Sequence, residues 1–299
     1  MAEIVTLTLN PCVDRTITGG KTVCECGGKG INVARVLSAL GRDCIAVAPV
    51  GSGENSRLFT RMAAEEGIRL CPVPVGYDIR RIDTYRAEDN SQRVDYDRGR
   101  DANESDLPAF RETLARELRG AKLLIVSGSA PGGVLAAFAA EAIRMAKTMG
   151  VETLLDSNGE ALTLGFAAGP GLIKPNQKEL GQLLDREIAE GEEEQAALRL
   201  LERGYALGLK GVVVSLGERG ALWVREGGTV YCPAPKVDTI NPVGSGDCFV
   251  AALCHALLAG LNDQWALAAA CAAGAANAAV FPAARIGRDD IARLLGWSI

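Results

Sequence analysis

The run Asn241-Pro242-Val243-Gly244-Ser245-Gly246-Asp247-Cys248-Phe249 holds the residue types best suited to chemistry. It leads into an apolar stretch, Phe249 to Leu261, that reads as a buried helix. Gly244, Ser245 and Gly246 then lie at a helix N-terminus. There, unpaired N–H groups and the positive end of the helix dipole favour an anion. Two glycines allow the backbone to approach that anion closely. Asp247 follows at once, placed to take a proton from a hydroxyl attacking the same anion. An anion hole beside a base is what phosphoryl transfer requires. The motif by itself fits a capped helix start equally well, because Asp is a favoured capping residue.

Four more loops carry polar groups. Gly27-Gly28-Lys29-Gly30-Ile31-Asn32-Val33 opens a helix. It is no Rossmann fingerprint, because Val33 stands at the third glycine, and no Walker A, because Ile31 stands where Lys is needed. What remains is a helix start with a cation and an amide, suited to a polyol, a phosphate or both. Ser127-Gly128-Ser129-Ala130-Pro131-Gly132-Gly133 is a small-residue turn with two hydroxyls. Lys174-Pro175-Asn176-Gln177-Lys178-Glu179 places an amide and a carboxylate one turn apart. Their oxygens suit Mg²⁺, directly or through its waters; the plainer reading is a helix start. Ser215-Leu216-Gly217-Glu218-Arg219-Gly220-Ala221 is a glycine turn that a nucleotide can approach, or simply a turn.

Elements must position these loops, and the pattern supplies them. Strand-like runs at Ile4 to Leu9, Cys44 to Val50, Leu123 to Ser127, Glu152 to Asp156, Gly171 to Lys174 and Val212 to Leu216 alternate with helical patterns, among them Ile31 to Leu40 and Leu58 to Glu66. Alternation of this kind predicts a parallel sheet covered on both faces, with ligands beyond the carboxyl ends of the strands. Tyr77 to Arg100 breaks the rhythm. It reads as a polar hairpin turning near Asp89-Asn90-Ser91, suited to a lid.

The 299 residues suit one large α/β domain or two small ones. A net charge of −5 leaves no broad basic footprint for nucleic acid. Trp265 to Phe281 is mostly alanine and shorter than the roughly 18 residues of a membrane span, so it reads as a core helix. Nine cysteines, an odd number in mostly apolar contexts, suit free thiols in a reducing cytoplasm, and no secretory signal is evident at Met1-Ala2-Glu3-Ile4. Cys24-x-Cys26 lacks the spacing of a zinc site. The single histidine, His255, falls inside an apolar helix pattern and is expected to pack rather than catalyse, which leaves no Ser-His-Asp hydrolase to build.

Taken together, these motifs resemble the PfkB or ribokinase family of sugar kinases, in the family's order and over nearly the full length. Asn10-Pro11-Cys12-Val13-Asp14-Arg15 is similar to the opening of its hexose-phosphate branch, that of 1-phosphofructokinase and tagatose-6-phosphate kinase. Gly27 to Ala34 is similar to the first signature, Ser127-Gly128-Ser129 to the middle loop, Asn176 with Glu179 to the magnesium-linked motif, and Val243 to Asp247 to the second signature. The resemblance implies a ribokinase-like three-layer α/β/α fold over residues 1–299, with a mainly parallel central sheet and a small β lid formed by segments near 15–26 and 77–100. It implies ATP-dependent phosphorylation of a phosphorylated ketohexose, with ATP and Mg²⁺ as cofactors. Asp247 would be the base and Gly244, Ser245 and Gly246 the anion hole. Asp14, Gly28, Lys29 and Asn32 would hold the sugar, and Arg80 and Ser129 would join Lys29 around its phosphate. Lys174, Asn176, Ser215, Gly217, Gly220 and Asn277 would serve the nucleotide, with Glu179 and Asn176 linked to the metal through water.

Some positions depart from the branch. Only 12 residues separate Asp14 from Gly27, where relatives carry two lid strands, so Lys21 to Cys26 is expected as one short strand. Ile82, Thr84 and Asp97-Arg98-Gly99-Arg100 also differ. These changes cluster in the lid and leave open a lid-mediated homodimer, a kinase of an unphosphorylated sugar or nucleoside, and a non-catalytic sugar- or nucleotide-binding regulator.

Overall fold

The computed structural model describes residues 2–87 and 91–297. Its strands are β1 (Ile4–Leu7), β2 (Cys12–Thr18), β3 (Lys21–Gly27), β4 (Cys44–Val50), β5 (Leu70–Pro74), β6 (Arg80–Arg86), β7 (Gln92–Tyr96), β8 (Leu123–Ser127), β9 (Glu152–Asp156), β10 (Leu172–Ile173), β11 (Gly211–Ser215), β12 (Ala221–Arg225) and β13 (Gly228–Cys232). The helices are α1 (Lys29–Ala39), α2 (Glu54–Glu65), α3 (Leu107–Leu118), α4 (Gly133–Thr148), α5 (Gly159–Ala167), α6 (Gln177–Leu184), α7 (Glu193–Tyr205), α8 (Ser245–Leu258), α9 (Asp263–Ala278) and α10 (Arg288–Leu295).

Nine strands form one sheet in the order β13-β12-β11-β10-β9-β8-β1-β4-β5. From β5 to β11 neighbouring strands are parallel. Successive side chains of a strand face opposite layers. In β8, Leu123 and Ile125 join a core with α1, α2, α8, α9 and α10, while Leu124 and Val126 join a second core with α3 to α7. This is the expected three-layer α/β/α arrangement. Strand order reverses beside β1, and the loops of interest gather at the carboxyl ends of β1, β8, β9, β10 and β11, as in other open α/β sheets. β11 departs from expectation: an antiparallel hairpin, β12–β13, follows it instead of a helix.

The lid is a second sheet, ordered β3-β2-β6-β7. Its first half corrects the sequence reading. The stretch around Asp14 to Gly27 holds two strands of seven residues each, not one short strand. The strands fit because β2 begins at Cys12, ahead of Asp14, and because Gly19 and Gly20 turn the chain in two residues. Their φ values of 55° and 75° are those of a tight type I′ hairpin turn, for which Gly-Gly is suited. β6 and β7 form the expected second hairpin. Asp89 and Asn90 of its anticipated turn lie outside the described residues.

Helix starts also fall earlier than periodicity suggested. α2 begins at Glu54 because Asp78, distant in sequence, accepts from the Asn55 and Ser56 N–H groups at 3.0 and 2.8 Å. α8 and α9 pack together as alanine-rich core helices. His255 is buried in α8, where its Nδ1 accepts from Arg42 Nε at 3.1 Å. Burial holds its pKa down at about 4, so it is neutral and structural, as expected. No helix among the described residues is long and apolar enough to cross a membrane.

Candidate active site

Asp247 sits in the first turn of α8. Gly244 caps that helix with φ 84°, a conformation open to glycine and strained for other residues. The Ser245 and Asp247 N–H groups turn back onto the carbonyls of Pro242 and Gly244. The Gly246 N–H has no carbonyl partner among the described residues and lies where an added Cβ would meet open space. The anion-facing donors therefore centre on Gly246. Asp247 is 4% exposed, and its Oδ2 accepts from Asn32 Nδ2 at 2.7 Å. Burial pushes its pKa up to about 6; Asp156 adds to the rise, while Lys29, the Asn32 hydrogen bond and Lys174 restrain it. A carboxylate with a pKa near 6 is mostly ionised at neutral pH and basic enough to accept a proton.

Asp156, at the end of β9, escaped the sequence reading. It is fully buried, and its Oδ1 lies 3.0 Å from Lys174 Nζ, its Oδ2 3.7 Å from Lys29 Nζ. Ser127 Oγ donates to Oδ2 at 3.2 Å. Burial works against its charge, yet the two lysines and these hydrogen bonds hold its pKa below the usual carboxylate range. Asp156 in turn raises the pKa of Lys29, with smaller support from Asp247 and Glu179. Two cations thus stand at the carboxyl edge of the sheet, close to Asp247. Lys174 is buried beside Asp156, whereas the Lys29 side chain is 37% exposed and can reach a ligand. The available signal was position: an acidic residue closing a parallel strand lies at the ligand edge of such a sheet.

On the lid side, Gly28 caps α1, and the Asp14 carboxylate on β2 lies against the preceding residue, Gly27. Burial raises the Asp14 pKa, which the Cys12 thiol and Arg80 partly counter. The Gly128 backbone lies against the Lys29 side chain, which brings Ser129 beside that lysine. Arg80 is partly engaged within the lid. Its guanidinium donates to the carbonyls of Asp97 and Asn10 at 3.0 and 3.2 Å and stacks over the Tyr96 ring, 5.0 Å from the centroid. Buried, with Nη1 and Nη2 on backbone oxygens and Nε without a partner among the described residues, it braces the segment after β7; Lys29 and Ser129 are half-buried donors nearer the sheet edge.

On the nucleotide side, Asn176 and Glu179 form a reciprocal capping box: Asn176 Oδ1 accepts from the Glu179 N–H and Glu179 Oε2 from the Asn176 N–H, both at 2.9 Å. The plain helix start is therefore real, and it fixes the two groups. No cluster of three or more His, Cys, Asp or Glu among the described residues encloses a metal. One carboxylate and one amide oxygen fit a cation that keeps most of its water, as Mg²⁺ does. Ser215 pairs with this loop, its N–H donating to the Pro175 carbonyl at 3.1 Å. A cleft of ≈ 840 Å³ lies here, lined by Asn176, Gln177, Ser215, Leu216 and Gly217 among others.

Two expected nucleotide residues sit elsewhere. Gly220 is buried against the Cys232 carbonyl and the backbone of Pro233 and Ala234, so it packs the turn and does not line the cleft. Asn277 is fully buried; its Nδ2 donates to the Val243 carbonyl at 2.8 Å and to Ser245 Oγ at 3.1 Å, and its Oδ1 accepts from the Ala284 N–H at 2.6 Å. It clamps the loop that forms the anion hole.

Comparison with known proteins agrees with this geometry. The pfkB family carbohydrate kinase profile matches residues 2–284. A 1-phosphofructokinase of Vibrio cholerae is 31% identical over 84% of this chain and 82% of its own. The ATP-dependent 6-phosphofructokinase isozyme 2 of Escherichia coli is 34% identical over 85% of each. The tetrameric inhibited form of phosphofructokinase-2 from Escherichia coli superposes with a TM-score of 0.88 at 31% identity, covering 99% of both chains. With a buried aspartate at a helix N-terminus, two lysines close by and this profile matched over residues 2–284, the chain belongs to the PfkB family of carbohydrate kinases.

Proposed function

We propose that this chain transfers the γ-phosphoryl group of ATP to a hydroxyl of a phosphorylated ketohexose. A fructose phosphate is the first candidate, because the relatives above are named for 1- and 6-phosphofructokinase activity. The observation that carries the reading is Asp247, a buried carboxylate with a pKa near 6 held by Asn32 at the start of α8. Asp247 takes the proton of the attacking hydroxyl as its oxygen forms the new bond to phosphorus and the bond to the ADP oxygen breaks. The Gly246 N–H and the α8 dipole receive the equatorial charge of the transferred group. Lys29 and Ser129 hold the sugar's own phosphate, and Asp14 and Asn32 its hydroxyls. The cleft between α6 and the turn after β11 takes the nucleotide at Ser215 and Gly217. Glu179 and Asn176 would hold Mg²⁺ through water, and the ion would supply charge neutralisation at the ATP phosphates. The enzyme acts as a homo-oligomer.

ATP consumption with Mg²⁺ and fructose 1-phosphate, fructose 6-phosphate, tagatose 6-phosphate, fructose or ribose tests the reading. Turnover confined to phosphosugars is the expected result. The commitment of Arg80 to backbone carbonyls is the reason for including the free sugars, and turnover on those alone would overturn the substrate class. Silence across the panel with ATP still bound would overturn the kinase reading.

A further inference from the structure

Asn32 and Arg35 lie three residues apart on α1 and so share a face. Arg35 is buried, and every nitrogen of its guanidinium is engaged. Nε donates to Glu66 Oε2 at 2.7 Å, Nη1 to Asn32 Oδ1 at 2.5 Å, and Nη2 to the Cys26 carbonyl at 2.5 Å. Beyond Asn32, the chain of contacts ends at Asp247. Beyond Glu66 it continues to Arg285, whose Nη2 donates to Glu66 Oε1 at 2.8 Å and to Glu25 Oε1, on lid strand β3, at 3.2 Å.

An amide can present either its oxygen or its NH₂ to a neighbour, and the two ends are nearly equal in shape. A guanidinium only donates. Facing Arg35, Asn32 must therefore turn Oδ1 inward, and Nδ2 is left to face the Asp247 carboxylate. Were the amide released, a turn of half a revolution would set its oxygen against a carboxylate oxygen.

We infer that Arg35, anchored by Glu66, is a positioning residue for phosphoryl transfer that fixes the Asn32 amide so that it holds one oxygen of Asp247 and leaves the other for the substrate hydroxyl. The inference rests on the reading of Asp247 as the base. It also ties the lid to the chemistry, because Arg35 grips the carbonyl of Cys26 on β3 while Arg285 links Glu66 to Glu25. Lys29, Asp156 and Lys174, the charged groups that face Asp247 from α1, β9 and the loop after β10, stay in place when Arg35 is changed.

The test is a double-mutant cycle on kcat. Arg35→Lys keeps a cation for Glu66 but loses the fork. Its kcat should fall by about tenfold to a hundredfold, the usual cost of losing a group that orients an active residue, with KM for both substrates nearly unchanged. In an Asn32→Ala background the same change should cost less than about twofold, because the residue through which it acts is gone. The acid limb of the kcat profile should also move to higher pH, as Asp247 loses its amide donor. Losses that multiply in the double mutant, or an effect confined to KM, would overturn the inference and leave Arg35 a structural residue. If Arg35→Lys does not fold, Glu66→Gln replaces it in the same cycle, with a smaller loss and the same non-additivity expected. Asp247→Asn separates the two readings. Retained turnover there removes the base, whereas a dead Asp247→Asn with additive losses at Arg35 removes only this inference.

Discussion

At the scale of single residues, the site holds a carboxylate where burial makes ionisation costly. The Asp247 pKa rises from an ordinary 3.8 to about 6. A raised pKa means the folded state binds the proton more tightly than the unfolded chain does. The associated stability is fully present below about 4 and is lost as pH rises through about 6. Above that range the ionised carboxylate is a standing destabilisation of up to about 3 kcal/mol, from 1.36 kcal/mol per unit, the net left after Lys29 and Lys174 have offset part of the cost of burial. Asp247→Asn should therefore abolish turnover and yet melt at a higher temperature than the parent at pH 8, with the difference shrinking towards pH 4. Thermal melts across that range check both the size and the sign; a variant that is less stable at pH 8 would show that the lysines need the charge more than burial opposes it. The glycine turn and the aspartate at the start of α8 were legible in sequence because Gly244 to Asp247 are contiguous. Asp156, Arg35 and Glu66 were not, because each acts through a partner supplied by the fold. Arg35 matters only once Asn32 meets Asp247, 215 residues away.

At the scale of elements, the turn that opens α8 depends on a buried amide from another helix. Asn277, near the end of α9, joins the Val243 carbonyl, the Ser245 hydroxyl and the Ala284 N–H, so it fixes where α8 begins. Asn277→Ala leaves the buried Ala284 N–H without its partner, at roughly 1–3 kcal/mol, and releases the part-buried Val243 carbonyl. A lower melting temperature and a kcat reduced by about a hundredfold, with nucleotide affinity retained, are the expected outcomes. A loss of nucleotide affinity without loss of kcat would instead return Asn277 to the nucleotide site, where its family motif had suggested it belonged. Helix and strand types were mostly legible from apolar periodicity, and strand β4 was legible to its ends. Boundaries were less so where a distant group sets them. Asp78 starts α2 four residues before its apolar pattern, and no local signal in Glu54 to Arg57 announces that cap. The antiparallel hairpin after β11 was hidden because its turns resemble a helix start.

At the scale of the whole molecule, the open question is what covers the lid. Its sequence looked too short for four strands, since 12 residues were counted between Asp14 and Gly27, whereas β2 begins inside the first motif and β3 ends inside the second. With four strands in place, register aligns Val23, Thr16, Thr84 and Val94 in a row across the sheet. The next row inward is Glu25, Asp14, Ile82 and Tyr96, on the same face. With the sugar held at Asp14 as proposed, that inner row is the substrate side. The outer row lies two residues further along the strands, roughly 6.6 Å, beyond the reach of a sugar held at Asp14. Yet Val23 and Val94 are 56% and 48% exposed, and Tyr96 is 59% exposed. If a second copy of the same lid covers this face, Val23 and Val94 are the apolar side chains it would bury. A charge placed there should be expelled from such an interface. Val94→Glu is therefore expected to shift the protein to a smaller species in sedimentation at micromolar concentration, with its melting temperature at low concentration unchanged because Val94 packs against little in the single chain. A variant that sediments like the parent would place the contact between copies elsewhere and leave the lid face to the substrate alone.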